Sequence, residues 1–211
     1  MLSDDFEQRK KAEIDALNTL KNSFFILGMI QFAFLIVNSL ILISSLAPML
    51  FDGMDIAVDD AFIWVVFFVV VELIYAMFMF VYVQNFNKGL ELLSPITPVS
   101  KTPKYGALLY VVGELASLPG LSFSTMGDIE YSFVALITLL SAGVLAFVGL
   151  LLIAIGVWQL GKKYNNSTFK IGAFLMVIFG FIGTFIVWSG FDSAVKFAKK
   201  RIPPPPIPPW I

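Results

Sequence analysis

Two glutamates sit inside otherwise apolar stretches of the chain, and they are the residues best placed to do chemistry. Glu72 lies near the middle of residues 61–84, AFIWVVFFVVVELIYAMFMFVYVQ, and Glu114 a little inside the middle of residues 105–127. If these stretches cross a membrane as antiparallel neighbours, the two carboxyls fall at similar depth. Asn38, in the stretch 23–49, then lies within about two turns of that level at a rise of about 1.5 Å per residue. An acidic group at the centre of a membrane helix costs about 2.5–3.5 kcal/mol on insertion scales. No lysine, arginine or histidine lies at that depth to pair with either, so desolvation favours the protonated acids, which can donate to each other or to Asn38. One reading is a proton or cation pathway. The other is hydrogen-bonded glue between helices, about 0.6 kcal/mol per bond on average. The sequence favours glue, because a transport site usually gathers more polar groups and broken helices. The later stretches offer only Thr138, Ser141, Thr184 and Ser189, and Pro119–Gly120 reads as a kink or the outer end of a helix.

Other chemistries are poorly served. The chain contains no histidine and no cysteine. Serine–histidine and cysteine–histidine catalysis are therefore excluded, as are disulfides and most haem, iron–sulfur and transition-metal sites. No phosphate loop, nucleotide fingerprint or zinc-protease motif is present. An intramembrane aspartyl protease would need two aspartates at membrane depth, and there are none. The acidic segment Asp52–Asp60 lacks calcium-loop spacing and reads as a solvated loop. A formal net charge of −1 suggests no nucleic-acid partner. No catalytic residue, metal or cofactor is expected, and the chain reads as non-enzymatic.

The elements that would hold these glutamates are apolar helices. Of 211 residues, 58% are hydrophobic and 14% charged, with a mean hydropathy of +0.87. Soluble domains carry about 45–50% and about 25%. A bilayer core needs about 20 apolar residues in helical form, and five stretches qualify: 23–49, 61–84, 105–127, 131–160 and 168–192. None alternates with period two, so strands are excluded. The first is too long for a signal-peptide core and reads as an uncleaved span. The expected fold is thus an all-α integral membrane bundle of about five transmembrane helices at 23–192, with an amphipathic cytoplasmic segment at 1–22 and a basic, proline-rich tail at 193–211.

Basic residues favour the cytoplasmic side. Arg9, Lys10, Lys11 and Lys21, then Lys88, Lys101 and Lys104, then Lys162, Lys163 and Lys170 alternate with loops holding only acids. Five spans put these ten inside but leave Lys196, Lys199, Lys200 and Arg201 outside. Making the third stretch re-entrant returns the tail but moves the Lys162 loop out. Five spans are retained, because the third stretch is long enough to cross.

Small residues predict where helices touch. Ala142, Ala146, Gly149 and Gly156 form one stripe, and Gly180, Gly183 and Gly190 another. In lipid such stripes let backbones approach, so the fourth and fifth spans should form a close antiparallel hairpin, with an interface to another subunit as the alternative. In the first segment, Ile14, Leu17 and Leu20 give an apolar stripe, read as part of a solvated helix leading into the first span rather than a docking site. The tail, IPPPPIPPWI, should be extended polyproline, suited to the membrane interface and only weakly to a proline-recognising groove.

Residues 156–175, GVWQLGKKYNNSTFKIGAFL, carry a further pattern. Gly156, Gly161, Tyr164, Asn165, Lys170, Ile171 and Gly172 resemble the motif of an archaeal family of polytopic membrane proteins described only as a domain of unknown function. KYGALL from Lys104 and the proline-rich tail are similar to that family too. The resemblance implies an archaeal cell membrane and about five spans, and it implies no activity. Physically, Gly161 should end a helix, Tyr164 should anchor at the headgroups, and Gly172 should let the fifth span approach its neighbour. The leading expectation is a structural or accessory subunit whose partners are lipid and other membrane subunits or further copies of itself. The alternative is a small channel or cation-coupled transporter using Glu72 and Glu114.

Overall fold

A computed structural model describes the backbone of residues 2–50, 58–96, 101–124 and 129–201. Within these, some side chains lie outside the described residues, including those of Asn38 and Glu72. The proline-rich segment from Ile202 onward also lies outside them. Among the described residues the fold is all-α, with six helices: α1 Leu2–Leu50, α2 Val58–Leu93, α3 Thr102–Ser124, α4 Ile129–Lys163, α5 Ser167–Phe179 and α6 Phe181–Lys199.

Each helix buries one face at a spacing of three and four residues, the period of a single helical stripe. On α1 that face is Leu17, Leu20, Phe24, Leu27 and Ile30, and on α2 it is Tyr75, Met79, Tyr82, Phe86, Leu90 and Leu93. The two run antiparallel: Phe24 meets Phe86 edge-on at 5.8 Å, and Phe34 meets Tyr75 at 5.4 Å. The segment expected at 1–22 is not a separate solvated helix. It continues without a break into α1, and Leu17 and Leu20 belong to the core.

The most extensive interface joins α3 and α4. A Cβ on Gly149 would strike the backbone of Tyr110 and lie 2.7 Å from the Gly106 carbonyl, and one on Gly113 would strike the backbone of Ala146 and lie 2.7 Å from the Ala142 carbonyl. Gly156 closes the row against the ring of Pro103. The expected stripe of Ala142, Ala146, Gly149 and Gly156 therefore does bring backbones together, but against α3. The anticipated pairing with the fifth span is corrected, because Gly106 and Gly113 supply an opposing stripe at a spacing of seven, two helical turns.

The fifth span is corrected too. Residues 168–192 do not form one crossing helix. The chain reverses at Gly180, with φ +47° and ψ −102°. That backbone conformation is accessible to glycine and strained for any residue with a Cβ. Around this tip α5 and α6 fold back as a tight antiparallel hairpin. Gly183 packs on the backbone of Met176, Gly172 on Val187, and Gly190 on the ring of Phe169. The stripe Gly180, Gly183, Gly190 thus serves α5 rather than α4. α6 then descends along α1, with Phe181 beside Phe32, Trp188 beside Phe25, and Lys21 bonded to Asp192 at 2.5 Å.

The hairpin returns the chain to the end of the bundle where α4 finished. Lys10 reaches the Arg201 carbonyl at 3.3 Å, Lys163 reaches Glu13 at 2.9 Å, and Lys104 reaches Glu91 at 2.7 Å. All 14 basic residues accordingly lie at one end. Pro119–Gly120 lies within α3, which continues to Ser124. Two helical segments among the described residues are long and apolar enough to cross a membrane, Asp5–Ile36 and Phe133–Lys163. About five such spans are not supported.

Candidate functional site

Polar groups on four helices meet in the interior. Gln31 of α1 lies between α6 and α3: its Oε1 accepts from the Thr184 hydroxyl at 2.8 Å, and its Nε2 donates to the Tyr110 hydroxyl at 3.1 Å. Tyr75 donates to the Glu114 carboxyl at 3.1 Å to Oε2, and the Tyr110 hydroxyl lies within electrostatic range of the same carboxyl. The donors point one way, from Thr184 through Gln31 to Tyr110, and Tyr75 closes on the Glu114 carboxyl from α2. Thr184 is fully buried, Tyr110 is 5% exposed and Tyr75 9%. Thr184 also bonds the carbonyl of Gly180 at 3.1 Å, which links the chain of bonds to the turn of the hairpin.

Local sequence explains this convergence. Glu114 is one position beyond Gly113, where α3 packs on the backbone of α4, and one turn beyond Tyr110, so the acid and the phenol share a face. Gln31 follows Ile30 at the edge of the α1 core face, and Thr184 follows Gly183 in the first turn of α6. Of the residues singled out from sequence, Glu114 is in the site, while the side chains of Glu72 and Asn38 lie outside the described residues. Sequence reading missed Gln31, Tyr75 and Tyr110. Their signal was a buried-face register shared with known core positions, which span assignment alone does not test. Among the described residues no group of three or more acidic side chains is arranged to hold a metal.

A second polar centre lies at the basic end. Glu13, 2% exposed, accepts from Lys163 at 2.9 Å, from the Tyr164 hydroxyl at 2.7 Å and from Arg201 at 3.1 Å. It belongs to the charged segment ahead of the apolar stretch that starts at Ser23. Burial works to raise the Glu13 carboxyl, but hydrogen bonds from Lys163 and Tyr164 and the charges of Lys163 and Arg201 outweigh it and hold the group below its ordinary value.

The 156–175 motif is the frame for this centre. α4 continues through Gly161 to Lys163, so Gly161 faces α5 rather than ending the helix. The termination comes at Asn165, with φ +47°, and the Asn166 amide returns to the Gly161 carbonyl at 2.9 Å. Asn166 then caps α5 by accepting from the Thr168 amide at 2.9 Å, and its side chain donates to the Gly190 carbonyl at 2.8 Å. Tyr164, expected at the headgroups, is 3% exposed and turned inward to Glu13.

Residues 13–209 match the model of a family described as "Protein of unknown function (DUF973)". The chain belongs to this family. The match takes in both polar centres of this DUF973 chain and the whole α5–α6 hairpin. No curated protein and no solved structure matches it.

Proposed function

We propose that the chain is a non-enzymatic, multi-pass membrane protein that passes protons or small monovalent cations by way of Glu114. In this reading α1 to α4 cross the bilayer and α5–α6 is a re-entrant hairpin entering from the basic side. Three features support immersion in lipid. All 14 basic residues fall on one side, which removes the conflict that five spans create for the tail. Large apolar side chains are exposed along α2, α4 and α5, among them Leu73, Phe80, Phe133, Leu140, Val144 and Phe174, far more than a water-facing monomer carries. Non-helical backbone at membrane depth is tolerated where protein covers it, and the Gly180 turn is covered on one side by α1. Gln31 and Glu114 each lie ten residues beyond a basic residue, Lys21 and Lys104, which is about 15 Å at the helical rise and half of a core about 30 Å thick.

The observation that carries the functional reading is the Glu114 network. Its described hydrogen-bond partner, Tyr75, donates toward the carboxyl, and among the described residues no fixed cation accompanies it. Such a site accommodates an ionised carboxylate only with a mobile counter-charge, which is a proton or a small cation. The features that the sequence lacked for transport, several convergent polar groups and a broken helix, are supplied by Gln31, Tyr75, Tyr110, Thr184 and the Gly180 turn.

In vesicles reconstituted with purified protein, a pH or cation gradient is expected to collapse faster than in empty vesicles. Glu114→Gln should abolish that flux while leaving detergent-phase thermal unfolding almost unchanged, since each intramembrane bond contributes only about 0.6 kcal/mol. Wild-type vesicles as tight as empty ones would sink the pathway and leave the accessory-subunit reading. The orientation has its own check. The chain has no native cysteine, so single cysteines placed at Lys11 and at Lys199 report topology directly. An impermeant maleimide added to one side should label both or neither. Labelling of one from each side would restore an odd number of crossings.

A further inference from the structure

Tyr82 is fully buried on α2, and its hydroxyl has no hydrogen-bond partner among the described residues. It lies seven residues from Tyr75, two helical turns, so both phenols point from the same face of α2. Tyr75 bonds Glu114, and Tyr82 lies on the side of it toward Lys88 and the basic end. The Tyr110 hydroxyl lies within electrostatic range of Tyr82 but is not bonded to it. A buried hydroxyl left without a partner is costly, and phenylalanine would fill the same space beside Phe86 without that cost. The Asn87 Oδ1, further along the same helix toward the basic end, is also buried without a partner.

We propose that Tyr82 is the inner relay of the Glu114 site, a place where water carries protons between the basic end of the bundle and the carboxyl. The inference rests on the proposed pathway and adds its direction. A water held between the Tyr82 and Tyr110 hydroxyls bridges two polar groups that do not touch. A proton arriving from the basic side binds the Tyr82 oxygen as that hydroxyl releases its own proton to the water. The water passes one proton to the Tyr110 oxygen, and Tyr110 releases its own to Glu114. Each oxygen ends with the proton count it began with, no phenolate forms, and the carboxylate becomes the acid. Rotation of the hydroxyls resets the chain.

The test uses full-length protein in vesicles, with proton flux read from an internal pH dye. Glu114 protonation is read separately from its carboxyl infrared band, assigned by loss in Glu114→Gln. Tyr82→Phe is expected to slow proton flux at least tenfold, to weaken the solvent deuterium isotope effect on what remains, and to leave the Glu114 band titrating. Tyr82→Phe conducting at the wild-type rate, beside a silent Glu114→Gln, would overturn the relay and leave the pathway standing. A silent wild type would overturn both. Thermal unfolding supplies a readout free of flux. A hydrated Tyr82 loses a bonded hydroxyl in the variant, so the melting temperature should stay level or fall. A rise would mark a dry, idle phenol and overturn the relay.

Discussion

Gly183→Val is expected to open the α5–α6 hairpin and to lower the thermal stability of the detergent-solubilised protein more than any other single glycine replacement. A Cβ at this position would fall on the backbone nitrogen and Cα of Met176 and on the carbonyl carbon of Leu175. None of these is the far end of a flexible side chain, so the helices themselves must move apart. Overpacking costs about 1–3 kcal/mol where side chains can give, and more where they cannot. Against a total stability of about 5–15 kcal/mol for an ordinary domain, that is a large fraction. The displacement also carries away what α6 brings to the interior, starting with the Thr184 bond to Gln31 one residue on. On the proposed pathway the variant should therefore lose flux as well as stability, whereas Glu114→Gln should lose flux alone. Gly143→Ala is the control. It faces open space, and the gain in helix propensity, up to about 1 kcal/mol, should leave stability equal or slightly higher. Equal melting temperatures for Gly183→Val and wild type would mean that α5 and α6 are not in close contact.

That hairpin also marks the limit of what the sequence revealed. The glycines at 180, 183 and 190 were legible as a packing stripe, and they do pack. Spacing alone cannot distinguish a stripe that meets another span from one whose first member is the turn itself. The charge pattern held the missing information: four basic residues set apart from the other ten call for a further reversal of the chain, and the hairpin at Gly180 returns them to the same end of the bundle. The helical class was readable, because it depends on composition within each segment, but the helices overrun the stretches read from sequence, α1 beginning at Leu2 and α2 ending at Leu93. The α3–α4 interface was half readable, since one stripe was recognised and its counterpart, Gly106 and Gly113, was not. The network around Glu114 was not readable. Tyrosines in an aromatic-rich stretch look like filler until the neighbouring helix brings the acid alongside. At the N-terminus the stripe was incomplete rather than misplaced, since Ile14 packs against the core. The stripe read as Ile14, Leu17 and Leu20 is buried as Glu13, Leu17, Leu20 and Phe24. Glu13 was not legible as part of that face, because its partners lie 150 residues and more away in the chain.

Those distant partners make Glu13→Ala the second large effect. The substitution removes the acceptor that Lys163 and the Tyr164 hydroxyl share, and it releases Arg201 at the end of α6. Removing one partner of a buried ion pair costs about 3–5 kcal/mol, because the remaining charge stays uncompensated. Here the Lys163 arm carries most of this, its side chain being 17% exposed against 39% for Arg201. Three separate stretches of chain are tied at this one carboxylate: the start of α1, the α4–α5 junction and the end of α6. Their joint release should appear as faster proteolysis near Arg201 as well as a lower melting temperature. Glu13→Gln keeps two of the hydrogen bonds and loses the charge, so its loss should be smaller. The dependence on pH follows from the direction in which the carboxyl is moved. In the folded protein Glu13 is held below its ordinary value of 4.5, so between the lowered and the ordinary value the unfolded chain binds more protons than the folded one. The contribution is complete above the ordinary value and drains away as pH falls through the lowered one. Wild-type melting temperature should therefore drop as acid is added below about pH 4.5, the ordinary value, and the Glu13→Gln profile should be flatter across that window. Parallel profiles for the two proteins would mean that Glu13 is as well solvated in the folded state as in the unfolded one, and that the basic end is closed by packing of Leu17, Leu20 and Phe191 rather than by charge.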